Sequence, residues 1–467
     1  MDVTEGEMTK DVEVMLGSPK KAVIRMAIPM IVAMFASSVN GLIDAAWISG
    51  INAGALAAIG FLFPLFFILV GVSSGVSIGA SAAIARHIGA GDRNGTDRTA
   101  SVALSLTLVS GIVFSILLFL ITRPLMIAVG GAAVIDYCMD YANILFMFAT
   151  VFFINALMSS ILRSEGAARR SMVVMVTSAL FNLVLDPIFM FDDVIFGFGL
   201  GMGMTGAALA TAVALILATI PAVYWFWIKK DTYVNLRFGR PHFDKVIAKD
   251  IYRVGIPASV EFMAISLAVI LMNMILVSTA EGTDAVAIYS AGWRLLNLVM
   301  IPCLGIGAAV VPICAAAYGG KEHQKVKMAF GYALKISLIT MLILATILFI
   351  AADIVSVLFS YSTDAEHLHG PLSLFIQISC AFLPFIGFGV LSSSLFQALG
   401  MGTRALTSTV FRNFIIIPVA YIVSLSGTLM DIWIWTAVME VIGPAIVLMW
   451  CLMTLSAFIK KNTPAVQ

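Results

Sequence analysis

Twelve long apolar runs follow one another along this chain and constrain how it can fold. Each has about the 20 residues that an α-helix needs to cross a bilayer. They cover residues 22–49, 55–85, 99–122, 133–162, 171–191, 204–228, 251–279, 285–317, 329–358, 371–398, 405–426 and 432–459. Of 467 residues, 61% are hydrophobic, more than a soluble protein of this length can bury. The sequence predicts an all-α membrane protein with twelve transmembrane helices.

Basic residues concentrate in every second connector between these runs. The cationic connectors include the stretches from Arg86 to Arg98 and from Lys229 to Arg253, whereas the intervening connectors are neutral or acidic, with Arg123 as the exception. Because basic loops remain on the cytoplasmic side of a membrane, we expect a multi-pass protein of the cell membrane with both termini in the cytoplasm.

The chain repeats itself after about 230 residues. Three segments recur in the same order, each listed with its counterpart: Arg25-Met-Ala-Ile-Pro29 with Arg253-Val-Gly-Ile-Pro257, Ile88-Gly-Ala-Gly-Asp92 with Tyr318-Gly-Gly-Lys-Glu322, and Ser159-Ser-Ile-Leu-Arg-Ser-Glu-Gly166 with Ser393-Ser-Leu-Phe-Gln-Ala-Leu-Gly400. With six spans each, the halves share one orientation and are related by an axis along the membrane normal, with a site between them. We predict an N-terminal lobe at 1–228, a cytoplasmic linker at 229–250 and a C-terminal lobe at 251–467.

Asp44 is an acid placed deep in the first apolar run. Between Ala22 and Ile48 the only charged residues are Arg25 and Asp44. A carboxylate inside a membrane is costly unless it is protonated, paired or hydrated, so it usually marks an ion or proton pathway. The alternative is a polar residue near the helix end at Gly50, facing water.

The arrangement around Asp44 recurs in the fifth run. Asn40 precedes Asp44 by four residues, as Asn182 precedes Asp186, and residues four apart share one helix face. Pro187 has no backbone N–H, which frees a carbonyl one turn earlier. Such oxygens suit a hard cation, here Na⁺, and equally suit a shared proton. The alternatives are a helix-capping role for Asp186 and ordinary interhelical hydrogen bonds for the amides.

Several motifs give this chain a family resemblance that covers essentially its whole length. They are the Ile-Pro start of each half, Ile88-Gly-Ala-Gly-Asp-Arg93, Leu162-Arg-Ser-Glu-Gly166 and Asn182-Leu-Val-Leu-Asp-Pro187. With twelve spans in two halves, the chain resembles the multidrug and toxic compound extrusion (MATE) family, and Asp44 with the Asn182–Asp186 element resembles its DinF-like prokaryotic branch.

The resemblance implies a V-shaped antiporter with a central cavity between two lobes. It would export organic, often cationic or amphipathic compounds by alternating access, in exchange for H⁺ or Na⁺. The family match implies a coupling cluster of Asp44, Asn182, Asp186 and Thr205, which would also be the Na⁺ ligands. Neutralisation of Asp44 would let span one bend near Pro29 and Gly41.

Some residues depart from the family pattern. Another branch places acids in spans seven and ten, but here span seven has only Glu261 and span ten has none. We therefore expect coupling in the first lobe. Some relatives have an amide in span four where this chain has Ser159, and Asn155, one turn away, is expected to substitute.

Other residues are assigned from their type and position. Pro187 is a third candidate hinge because proline kinks a helix. Thioethers and aromatic rings form adaptable walls that favour cations. The candidates for the wall of the substrate cavity, for which ordinary core or lipid-facing packing is the alternative, are Met175, Met202, Met204, Met263, Phe153 and Phe181.

Two further acids have more than one interpretation. Glu440 is a second proton site, a partner of Arg412 or a residue that faces an aqueous cleft. Glu165 belongs either to a solvated salt-bridge network or to a topology signal at a turn.

Two rival functions predict sequence features that differ from those of a transporter. A lipid-linked precursor flippase of the same superfamily should line its cavity with several cations, whereas the spans hold very few arginines or lysines, with Arg294, Lys335 and Arg412 as the candidates. A membrane enzyme should carry a motif such as HExxH or GxSxG in a suitable context. HExxH does not occur, and the GxSxG pattern occurs only inside the apolar run 55–85, within residues 71–79, so neither motif supports an enzyme. We expect a non-enzymatic monomer with small-molecule substrates, without cofactor or nucleic-acid partner.

Overall fold

Helices make up most of the part of the chain that the computed structural model describes, which comprises residues 8–128, 130–192, 199–236, 244–357, 366–425 and 427–462. The helices are α1 Lys10–Leu16, α2 Pro19–Ser49, α3 Ala53–Gly89, α4 Arg93–Ala128, α5 Ile135–Met147, α6 Ala149–Ser164, α7 Ala168–Met190, α8 Gly203–Val223, α9 Lys245–Val277, α10 Thr283–Gly319, α11 His323–Val357, α12 His369–Cys380, α13 Leu383–Ala398, α14 Gly402–Phe414, α15 Ile416–Ser424 and α16 Leu429–Asn462.

The predicted number of spans is confirmed. Within the described ranges, ten helical segments are long and apolar enough to cross a membrane, and two bent helix pairs bring the number to twelve. The bent pairs are α5 with α6, at 49°, and α12 with α13, at 55°. The protein is therefore an all-α, multi-pass membrane protein.

The backbone shows the internal repeat that the sequence predicted. The two bent pairs occupy corresponding places in the two halves. Gly166 and Gly400, which the repeat aligns, both have positive φ, at 81° and 72°. Gly91 and Lys321 also match, with φ of 70° and 59°. Following the two halves of the sequence repeat, we assign α2 to α8 to the first lobe and α9 to α16 to the second.

The two lobes meet along a face of bare backbone on α3. A Cβ atom at Gly75 would collide with the Gly255 carbonyl and the Ser259 hydroxyl of α9, and one at Gly79 would collide with the α9 backbone at Ile251. Gly71, Gly75 and Gly79 follow one another at four-residue spacing and share one face of α3, and the structure places that face at the contact between the lobes.

A second contact joins α2 and α10. The backbone of Ile31 lies against Gly305, where an added Cβ would be 2.9 Å from the Ile31 nitrogen. Beyond it, Arg86 of α3 forms a 2.6 Å ion pair with Asp250 of α9. We call the end of the molecule at which these contacts lie the closed end. These contacts use the first halves of α2 and α9 and the second halves of α3 and α10, so the lobes diverge towards the other end, as in the expected V.

Replacement of Gly75 by alanine should destabilise the contact between the lobes. Overpacking typically costs about 1–3 kcal/mol, so we expect a lower midpoint of thermal unfolding. Gly60→Ala is the matched control on the same helix, because a Cβ there meets no atom within 4 Å. It should leave stability unchanged or raise it, and equal losses in both variants would contradict the close contact.

The connection between the lobes is anchored to the first lobe. Arg170 donates to both carboxylate oxygens of Asp231, at 3.0 and 2.9 Å. Glu165 accepts the backbone N–H groups of Tyr233 and Val234, at 2.9 and 3.1 Å. Residues 237–243 of the predicted linker lie outside the described ranges, and α9 begins at Lys245, before the predicted linker end.

Glu165 should make the attachment of this segment depend on pH. The side chain is 2% exposed, and burial raises its pKa from 4.5 to about 8 against the opposing effects of the Val234 N–H and Arg170. Because the folded-state pKa exceeds the unfolded value, the stabilisation is complete below about pH 4.5 and is lost as pH rises through about 8.

Hydrogen exchange at the Tyr233 and Val234 amides, corrected for intrinsic rates, measures this dependence. Protection should fall above about pH 8 in the wild type. The Glu165→Gln variant, which keeps a neutral acceptor, should show no such fall. An identical pH profile in both proteins would assign the effect to another group.

Candidate functional site

Helices α2 and α7 bring the two predicted acids together inside the first lobe. Asp44 and Asp186 each follow an asparagine by one turn, on the faces where the two helices pack. Their carboxyl groups are within hydrogen-bonding reach of each other, and Asp186 is only 1% exposed. Asp44 is partly buried, and its carboxyl group lies against Asp186, which is the environment of a paired acid.

A chain of amide hydrogen bonds fixes this pair. The Asn40 Nδ2 donates to Asn182 Oδ1 at 2.6 Å. The Asn182 Nδ2 donates to Asp186 Oδ1 at 2.7 Å and to Thr211 Oγ1 at 3.3 Å. Asn182 is therefore the hub that joins α2, α7 and α8 around the acids.

The structure adds Tyr141 and Thr211, which the sequence analysis did not select. The Tyr141 side chain is buried and lies close to both carboxyl groups, with its hydroxyl beside Thr211. Thr211 and Thr219 are the only polar side chains between Gly206 and Ala222. That isolation in an apolar helix was the available signal for Thr211, whereas nothing local distinguishes Tyr141.

Within the described ranges, the acid pair has no cationic partner, because no arginine or lysine acts on either carboxyl group. Three buried oxygens there lack a hydrogen-bond partner within the described ranges: Asn40 Oδ1, Asp44 Oδ1 and Asp186 Oδ2. Two adjacent carboxylates in a site of low dielectric constant repel each other strongly. The site can therefore accept a proton or a small monovalent cation.

Two predicted members of the coupling cluster lie apart from it. Thr205 is in the first turn of α8 and has no hydrogen bond to the described cluster residues. Thr211, almost two turns further along α8, contacts Asn182 instead. Asn155 donates to Thr219 Oγ1 at 3.2 Å and to the Leu215 carbonyl at 3.4 Å. Asn155 therefore joins α6 to α8 through ordinary interhelical hydrogen bonds, which is the alternative interpretation of this amide.

The candidate cavity residues divide into three groups by exposure. Phe153 and Met204 are 0% and 3% exposed within the core of the first lobe. Their assignment to the cavity wall is wrong for this conformation, because neighbouring helices cover them. Met202, Met263 and Phe181 are exposed, and Met175 packs against the core.

The three candidate hinges lie inside continuous helices. Pro29 and Gly41 are within α2, and Pro187 is within α7. Gly41 has no atom within 4 Å of an added Cβ, which leaves space for movement of α2. Their role as hinges stays a prediction.

The acids of the second lobe have a different environment. Glu261 accepts hydrogen bonds from Ser393 at 3.0 Å and from Thr409 at 3.2 Å. Arg412 acts electrostatically on both Glu261 and Glu440, and both acids are buried. The Arg412 guanidinium and neutral hydrogen-bond donors therefore offset negative charge on these glutamates. The acid pair of the first lobe has no such cation among the described residues.

Comparisons with known proteins agree with this architecture. The family model MatE matches residues 29–188 and again 257–422. The "Multidrug export protein MepA" of Staphylococcus aureus is 25% identical over 421 residues, which cover 88% of this chain and 89% of the relative.

Solved structures match over nearly the whole length. "Crystal structure of MATE in complex with MaL6" is 33% identical with a TM-score of 0.92, covering 97% of this chain and 100% of that one. "Outward-facing conformation of a multidrug resistance MATE family transporter of the MOP superfamily" is 32% identical with a TM-score of 0.91, covering 97% and 99%.

Replacement of Asn182 by leucine should destabilise the protein by about 1–3 kcal/mol, because buried polar groups of Asn40 and Asp186 lose their partner. A double-mutant cycle with Asp186→Asn should show a coupling energy of at least about 0.5 kcal/mol. The Asn155→Leu variant is the control, and its coupling to Asp186→Asn should be near zero. Equal coupling in both cycles would contradict the hub role.

Proposed function

Because the chain belongs to the MATE family, we propose that it is an ion-coupled multidrug efflux antiporter that exports organic, often cationic or amphipathic compounds by alternating access. The observation that carries this proposal is the contact between Asp44 and Asp186 without a neutralising cation. The site needs a proton or a monovalent cation, and either can couple transport to an ion gradient. The proton is the proposed ion, and Na⁺ is the alternative that the same oxygens could hold.

The orientation follows from charge. Arg86, Asp250 and the anchored linker lie at the closed end, together with the basic connectors. The positive-inside rule then places this end and both termini in the cytoplasm. The cleft would open to the outside, and the similarity to an outward-facing MATE transporter supports this orientation.

The proposed cycle begins with ion uptake at the acid pair. A proton from the external medium neutralises one carboxyl group and removes the repulsion between α2 and α7. Helix α2 then bends near Pro29 and Gly41, which narrows the cleft and expels the substrate. Reorientation of the lobes delivers the ion to the cytoplasm and returns the cleft to the inner side.

The available energy is adequate for this coupling. One positive charge moving inward across 100 mV releases about 2.3 kcal/mol. A tenfold proton gradient adds roughly 1.4 kcal/mol. If one proton is exchanged for one neutral substrate molecule, the membrane potential and the proton gradient together support a substrate concentration ratio of a few hundredfold.

Transport in sealed vesicles tests the coupling. Asp44→Asn and Asp186→Asn should each reduce ion-driven transport by more than about tenfold, since the coupled step is worth ~2.3 kcal/mol per charge. Asp136→Asn, an exposed acid at the start of α5, should transport normally. Full gradient-dependent transport in Asp44→Asn would remove that residue from the coupling site.

Separate ion gradients distinguish the two ions. An imposed pH jump should drive transport without Na⁺. Transport driven only by a Na⁺ jump would assign the same site to Na⁺.

A further inference from the structure

A groove on the second lobe contains an arginine without an assigned function. The groove has a volume of about 270 Å³ and is lined by Ala287, Ile288, Ser290, Ala291, Arg294, Leu368 and Leu372. Arg294 is its only charged lining residue. In the described ranges, no ion pair or hydrogen bond engages the guanidinium, and the side chain is exposed although α10 spans the membrane.

The helix geometry directs Arg294 towards the first lobe. Arg294, Gly305 and Ala316 are spaced by eleven residues, about three turns, so they share one face of α10. Gly305 lies against Ile31, and Ala316 lies against Gly89. Both contacts are with the first lobe. Arg294 continues the same face into the open half of the molecule and therefore faces the cleft.

The opposite face of α10 supports this orientation. Gly292, two residues before Arg294, packs against Phe375 inside the second lobe. Residues two apart point in roughly opposite directions on a helix. An arginine in a membrane span is also strongly disfavoured by lipid, so it faces a water-filled cavity or a protein interior.

Arg294 and the acid pair lie at similar depths. At a rise of 1.5 Å per residue, Arg294 is ~16 Å from Gly305 towards the open end. Asp44 is ~20 Å along α2 from Ile31, which contacts Gly305. The first lobe therefore holds the acid pair behind its side of the cleft. The second lobe presents the Arg294 guanidinium on the opposite side of the cleft, at nearly the same depth.

We propose that Arg294 binds the carboxylate of amphipathic substrates and so selects amphoteric compounds, an inference that rests on the proposed efflux function. A guanidinium forms two parallel hydrogen bonds to a carboxylate, which gives orientation as well as attraction. The alanine, isoleucine and leucine side chains of the groove offer an apolar surface for the adjoining ring. A cationic group on the same molecule would then point towards the acids of the first lobe.

A matched pair of dyes tests this proposal. The probes are a xanthene dye with a free carboxylate and its methyl ester, which share the ring system and differ by one charge. Binding is measured by fluorescence anisotropy with the full-length protein in lipid nanodiscs. The wild type should bind the free acid more tightly. Arg294→Gln should raise the Kd of the free acid about tenfold, the size of one lost charge-assisted contact, and change that of the ester less than about twofold.

Two control variants separate charge from geometry. Lys335→Gln removes a different exposed cation of a spanning helix in the same lobe, and it should leave the preference intact. Arg294→Lys keeps the charge but loses the planar fork, and it should retain part of the preference.

Three results would overturn the proposal. They are a wild type that binds both dyes equally, an equal effect of Arg294→Gln on both dyes, and an effect confined to nanodiscs with anionic lipid, which would assign the groove to a lipid headgroup. Failure of the efflux function has a different signature, because the wild type would then move neither dye in vesicles.

Discussion

The contact between the carboxyl groups of Asp44, which is partly buried, and Asp186, which is buried, is the constraint on which the coupling mechanism depends. Two acids at this distance cannot both be ionised at low cost in a membrane interior. The surrounding hydrogen bonds do not remove the conflict, because Asn182 gives its Nδ2 to one carboxylate oxygen and leaves others without a partner in the described part of the chain. Binding of an ion offsets the repulsion between the two carboxylates, and release of the ion restores that repulsion.

The position of this pair connects it with the movement of the lobes. Asp44 is on α2, the same helix whose first half contacts the second lobe through Ile31 and Gly305. A change of charge at one end of α2 can therefore act on the contact at its other end. Among its described residues, the second lobe has no equivalent pair, since Arg412 acts electrostatically on both Glu261 and Glu440. This asymmetry supports coupling in the first lobe.

Much of the fold could be predicted because its determinants are local. The apolar runs predicted the membrane spans, and the recurrence of motifs such as Ile-Pro at Pro29 and Pro257 predicted the division into two halves. The pairing of each acid with an amide one turn earlier could be predicted because helical spacing alone places them on one face. The docking of α2 on α7, which joins the two pairs, required the structure.

The remaining site residues depend on interhelical register, which spacing within one helix does not define. Thr205 and Thr211 are both hydroxyls of α8, and only the depth of α8 beside α7 places Thr211 at Asn182. Tyr141 reaches the acids from the bent α5–α6 pair. Phe153 and Met204 were assigned to a cavity by residue type, but residue type does not define which side of a helix is covered.

The most direct test of the central claim is the number of protons released when substrate binds to the purified protein in a weakly buffered solution containing a pH indicator. The account predicts close to one proton per bound substrate in the wild type. It predicts none in an Asp44→Asn, Asp186→Asn double variant that still binds substrate. Equal release in both proteins would contradict it, and so would a wild type that releases no proton and binds substrate independently of Na⁺.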